Sequence, residues 1–195
     1  MVAIVSQGMT LTEYLAYQSE NDTTYELDNG ELLEMPPESD INQRIASFLL
    51  IYFAQLGVSS YCLRIGAEIV VTGSNVSVRV PDLMVLSEDT ALALEGAKRS
   101  TITLEMPPPE LVIEVVSPGR ENIERDYRYK RSQYQARGIN EYWIVDPLTE
   151  KVTVLTMNRG LYDEAIFASS EQLVSAFLQQ NNAEEKLIVS QILQK

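Results

Sequence analysis

Histidine is missing from this chain of 195 residues. Its absence excludes a Ser-His triad, an imidazole general base and any His-ligated zinc site. Acid–base chemistry would fall to carboxylates, lysine, tyrosine or bound water. Cysteine is nearly missing as well. Cys62 stands alone, so no internal disulfide can form, and its apolar setting in "YCLRIGAEIVV" reads as a packed core thiol. No run approaches the roughly 20 apolar residues of a membrane span, so no membrane partner is expected. The opening "MVAIVSQGMT" carries neither a basic region nor a long apolar one. No signal peptide is expected, and the cytoplasm is the expected compartment. Gly-rich phosphate loops are absent too, which argues against use of nucleoside triphosphates.

Positive charge is scarce in one half of the chain. The formal net charge is -13, which taken alone argues against a nucleic-acid partner. Residues 1–97 hold 3 basic and 14 acidic side chains, whereas residues 98–195 hold 12 and 14. Basic residues gather at Arg120, Arg125, Arg128, Lys130, Arg131 and Arg137. That run reads equally as a solvated helix face or as a functional one.

What is present is an ordinary apolar core. Hydrophobic residues make up 45% of the chain, enough for one packed domain over residues 1–195. "TLTEYLAYQ" predicts a short helix capped by Thr10 or Thr12. "YELDNGELLEM" predicts a hairpin, because Asn-Gly is a strong two-residue turn signal. Ser39 or Asp40 should cap a longer helix over "INQRIASFLLIYFAQLG", whose apolar residues recur at helical spacing and which Gly57 closes. "SYCLRIGAEIVV" and "SVRVPDLMVLS" each read as a strand, separated by the turn "TGSN". A loop with some helix leads to "ELVIEVVS", which is apolar on both faces, as a central strand would be. A helix over about 122–137 should follow and stop at Gly138. "EYWIVDP" and "KVTVLTM" read as paired strands, with an edge strand at "GLYDEAIF" and a mixed, partly helical tail. Trp143 reads as core packing and Asp146 as a turn start. Tyr127, Tyr129, Tyr134 and Tyr142 read as core or half-buried surface more readily than as base-stacking platforms. The order of elements fits an α/β domain with a mixed sheet.

One residue breaks the apolar pattern. Glu114 sits inside "LVIEVVS", and a buried charge is costly unless something pairs with it. On the following helix Ile123, Tyr127, Lys130 and Tyr134 fall on one stripe. Lys130 on that stripe has two plain readings: a side chain that snorkels to solvent, or a surface ion pair with Asp126. A third is that it meets Glu114 within one strand–turn–helix unit. Asp82 follows Pro81 in an otherwise apolar strand; alone, Pro-Asp reads as a turn or cap. Two carboxylates at strand ends can share one Mg²⁺, with a strand carbonyl and waters completing the shell. A nearby lysine can orient the attacking water and offset charge on a phosphoryl group. Such chemistry needs no histidine.

"VPDLMVL", "PPELVIEVVSP", "RDYRYKRSQYQARGINEYWIVDP" and "YELDNGELLEMPPES" together resemble the bacterial Uma-type restriction endonuclease family, a branch of the PD-(D/E)XK nucleases. The resemblance covers roughly residues 10–193. It implies a restriction-endonuclease-like mixed sheet flanked by helices, and Mg²⁺- or Mn²⁺-dependent cleavage of nucleic acid, DNA first. Asp82 matches the motif's first acid and Glu114 its second. The motif's lysine position is Val116 here, and the resemblance implies that its role has passed to Lys130. Glu31 matches a further acidic position and is expected near the same metal. Asn42 stands where many members carry histidine. Duplex cleavage would favour a homodimer. The competing expectations are a non-catalytic binding or regulatory module that keeps the fold, and an acidic mimic of phosphate.

Overall fold

A computed structural model describes residues 8–18, 23–73, 75–181 and 186–195. Part of the turn read at 72–75 and part of the C-terminal tail lie outside the described residues, as do the first seven residues.

The N-terminal third follows its local signals. Helix α1 (Leu11–Ala16) starts at Thr10, whose side chain accepts from the Glu13 N–H while Glu13 reaches back, a reciprocal cap. Strands β1 (Tyr25–Asp28) and β2 (Glu31–Glu34) pair antiparallel. Asn29 and Gly30 take φ of 51° and 87°, the pair of left-handed residues that a tight hairpin turn needs. Helix α2 (Asp40–Gln55) is capped by Ser39.

The next four strands form one long hairpin bent across two sheets. Strands β3 (Leu63–Arg64) and β4 (Glu68–Val71) replace the single strand expected at "SYCLRIGAEIVV". Strands β5 (Ser77–Arg79) and β6 (Leu83–Val85) replace the one expected at "SVRVPDLMVLS". The first break falls at Gly66, with φ of 70°. The second falls at residues 80–82, where Pro81 can donate nothing to a ladder. Strands β4 and β5 pair in one sheet, while β3 and β6 lie in the other.

Helix α3 (Glu88–Ala93), strand β7 (Thr101–Ile102) and strand β8 (Leu111–Val115) follow. Helix α4 (Arg120–Glu124) runs into a π-helical segment (Arg125–Lys130) and then α5 (Arg131–Arg137), which ends at Gly138. Strands β9 (Glu141–Asp146), β10 (Lys151–Asn158) and β11 (Leu161–Ala168), then helices α6 (Ala176–Gln180) and α7 (Val189–Ile192), complete the chain. The sheet orders are β2-β1-β5-β4-β7 and β11-β10-β9-β8-β6-β3. Each is mixed: β4 with β7 and β8 with β9 are parallel. The helix-flanked α/β class expected from the sequence is thus observed, with its strands divided between two sheets. Edge strand β11 and the β9–β10 pairing fall where the pattern placed them.

Alternation along β8 decides what faces what. Ile113 and Val115 join Leu83, Trp143 and the α2 residues Ile45, Leu49 and Phe53 in one core. Val112 and Val116 join Met84, Tyr142, Ile144 and Tyr134 in the core on the opposite face, with Cys62 buried among them. Glu114 lies between Ile113 and Val115, so its side chain belongs to the second face, toward the π-helical segment and α5. No helix among the described residues is long and apolar enough to cross a membrane.

Candidate active site

Glu114 has the partner its burial requires. Lys130 Nζ lies 2.8 Å from Glu114 Oε2, and the Tyr134 hydroxyl donates to Glu114 Oε1 at 2.6 Å. Lys130 is buried and does not snorkel. Its ammonium also lies 3.5 Å from Asp126 Oδ1 and 3.6 Å from Glu26 Oε1. The Asp126 pair read as a surface contact is therefore buried, both side chains being 2% exposed. The helix geometry explains this. Asp126 and Lys130 are four residues apart and so share one face of the helical segment, and Lys130 on that face meets Glu114 and Glu26. The expected stripe is corrected at one end, since Ile123 is 38% exposed.

Asp82 is brought to Glu114 by strand register. Leu83 pairs with Ile113 and Met84 with Val112, so one further step sets Asp82 opposite Glu114, on the same face. The Val115 N–H donates to Asp82 Oδ2 at 2.6 Å. Asp82 lines a cleft of about 660 Å³ whose walls come from α2, the chain leaving β2 and the two hairpin corners. Asn42, buried on α2, donates to the Val115 carbonyl at 3.2 Å and to Ser117 Oγ at 3.1 Å. It ties the end of β8 to α2, beside the two acids. Glu31 is not part of this group: it stands exposed on edge strand β2, opposite Asp28.

The acid that the hairpin does supply is Glu26, which the sequence reading passed over. Glu26 is fully buried. Its Oε1 accepts from the Val80 N–H at 3.1 Å and faces Lys130, while its Oε2 accepts from Arg79 at 3.0 Å. Arg79, also fully buried, donates to Asp28 Oδ1 at 2.6 Å and to Gln133 Oε1 at 2.9 Å. A signal was available. Arg79 sits in the apolar stretch "SVRV", as Glu114 sits in its own, and a buried guanidinium also needs carboxylates. Alternation about Leu27 puts Glu26 and Asp28 on one face of the hairpin.

These charges set one another's protonation. Burial raises the Glu114 carboxyl to about 7, with Lys130 pulling it down and Asp126 and Glu26 adding to the rise. Burial, then the Glu114 carboxylate opposite, push Asp82 well above the usual range. Burial alone would depress Lys130, but Glu114, Glu26 and Asp126 outweigh it and hold the ammonium above its ordinary value. Burial would raise Glu26, but Lys130 and Arg79 outweigh it and hold the carboxyl low. The site therefore holds a firmly protonated lysine beside two carboxyls that resist ionising together.

Among the described residues no three Asp, Glu, Cys or His side chains converge as a ready metal cage. Mg²⁺ commonly takes only one or two carboxylates and keeps several waters. Asp82 and Glu114 offer that oxygen-only donor pair, and their mutual repulsion is what a cation would relieve. The residues present fit a hard divalent cation.

The family model described as "Uma2: Putative restriction endonuclease" matches residues 11–184. The chain belongs to that family. The Uma2 chain is also similar in fold to a protein from Anabaena variabilis ATCC 29413 whose crystal structure, at 1.96 Å resolution, is described as that of a putative nuclease belonging to DUF820. The TM-score is 0.68 at 16% sequence identity, covering 95% of this chain and 98% of that one. No curated protein matches the chain. The family match supports a nuclease, and the structural likeness shows a shared fold.

Proposed function

We propose that this Uma2 protein is a Mg²⁺- or Mn²⁺-dependent nuclease that hydrolyses phosphodiester bonds of DNA, with residues 1–195 acting as one domain. The observation that carries the reading is the 2.8 Å contact of Lys130 with Glu114, at a strand position opposite Asp82. Asp82 and Glu114 would hold the cation, which when bound supplies an acidified water and polarises a phosphoryl oxygen. Lys130, kept protonated by three carboxylates, presents a fixed positive charge where negative charge builds up in phosphoryl transfer. Tyr134 fixes the Glu114 carboxylate from the other side, and Asn42 fixes the strand end that carries it. Lys130, Glu114 and Tyr134 are already held by these contacts, and groups fixed in advance can favour the transition state over the ground state.

A non-catalytic role is favoured by one observation. The charged residues that line the cleft beside Asp82 are Glu34, Glu38 and Asp82, with no lysine or arginine among the described residues. Incubation of labelled DNA with the protein and Mn²⁺ separates the readings. The nuclease reading expects cleavage, lost in Asp82→Asn. The non-catalytic reading expects intact DNA in both samples.

A further inference from the structure

We propose that the cleft beside Asp82 is a subsite for one unpaired nucleobase, so that the substrate is a single strand; this rests on the nuclease reading above. At about 660 Å³ the cleft has the size of a small-molecule site and can admit one nucleotide. Among the described residues its charged lining is entirely acidic. A duplex is normally held through phosphates of both strands meeting lysines and arginines, and these walls offer none.

The adjoining cavity does not supply the missing charge. It shares Thr23, Thr24, Gly66 and Val80 with the cleft and contains Arg99. That guanidinium is bound to Glu68 at 2.8 Å and 2.6 Å, donates to the Tyr14 carbonyl and lies over the Tyr14 ring. Its charge is already answered. The cleft can therefore accept a phosphate only where the reaction centre neutralises it. Further affinity must come from uncharged contact.

Uncharged contact is what the walls provide. Met35, Pro36, Pro37, Ala46 and Ile65 give an apolar lining, and Ile65 is 52% exposed at the corner between β3 and β4. The flat face of a base can bury itself against such aliphatic surface without any charge on the protein. In a duplex those faces are covered by neighbouring base pairs; in a single strand they are free. A single strand also needs only one active site, so it does not call for the homodimer that duplex symmetry would favour.

The test is fluorescence anisotropy in Ca²⁺, with a labelled oligothymidylate of about twelve nucleotides and the same strand paired to its complement. The single strand should bind at least about tenfold more tightly, and Ile65→Ser combined with Met35→Ser should remove about that factor. Thermal melting of the double variant checks that its fold is kept. Equal or tighter duplex binding overturns the proposal, and so does a folded double variant that holds the single strand as the parent does. Binding of neither probe overturns it as well. The nuclease reading is then decided separately by Mn²⁺ cleavage of duplex plasmid and of circular single-stranded DNA: cutting of either retains that reading, and cutting of neither removes it.

Discussion

Lys130 Nζ and Glu114 Oε2 lie 2.8 Å apart in the interior, both side chains at most 5% exposed. The pair joins the π-helical segment to the central strand β8. Its energetics are not those of a surface salt bridge, because each partner was taken out of water to make it.

Lys130 answers three carboxylates at once, so its loss should cost stability as well as turnover. Lys130→Met is expected to destabilise the protein by about 3–5 kcal/mol, the range for breaking a buried ion pair from one side. Adding Glu114→Gln should restore part of the loss by removing the carboxylate left without its cation. Urea denaturation of parent, single and double variants checks this. An unchanged midpoint in Lys130→Met would contradict the burial of its charge.

Arg79 should behave in the same way from the other side of Glu26. Arg79→Met leaves Glu26 and Asp28 without their shared cation, and a loss of about 3 kcal/mol or more is expected. Arg79 precedes the corner that carries Asp82, so metal-induced stabilisation should weaken too. Melting curves with and without Mn²⁺ measure both effects.

The pH dependence has a definite sign. Glu114 rises from its ordinary 4.5 to about 7 in the folded protein. Between those values the folded state binds more protons than the unfolded one, so this group makes stability fall as pH rises. Above about 7 the full cost of the charged carboxylate is present; below about 4.5 it vanishes. Glu114→Gln removes this contribution. Parent minus variant stability should therefore decline from pH 5 to pH 8. The apo variant should stay folded, since Lys130 keeps Glu26 and Asp126. A difference that grows with pH would contradict the assignment.

The sequence showed the site wherever a charge interrupted an apolar pattern that was read. Glu114 in "LVIEVVS" called for a partner, and the helical stripe named Lys130. Arg79 in "SVRV" carried the same signal but was read only as part of a strand, so Glu26 was missed. Glu31 matches a family position instead, yet it stands exposed at the start of edge strand β2. The two hairpin corners were hidden for another reason: apolar alternation continues through Gly66 and Pro81 while the chain changes sheets. The π-helical widening was hidden too, since residue spacing does not reveal where i→i+5 bonds replace i→i+4 ones.

The most direct measurement of the central claim is thermal melting of parent and Asp82→Asn protein with and without Mn²⁺, paired with cleavage of labelled DNA in the same samples. Asp82→Asn is the suitable variant because Asp82 lies at the cleft and accepts from the Val115 N–H. The account predicts that Mn²⁺ raises the parent's melting temperature and supports cleavage, by mass action on a site that only the folded state holds, and that Asp82→Asn loses both while remaining folded. A parent that Mn²⁺ neither stabilises nor activates, or an Asp82→Asn protein that cuts at the parental rate, would contradict it.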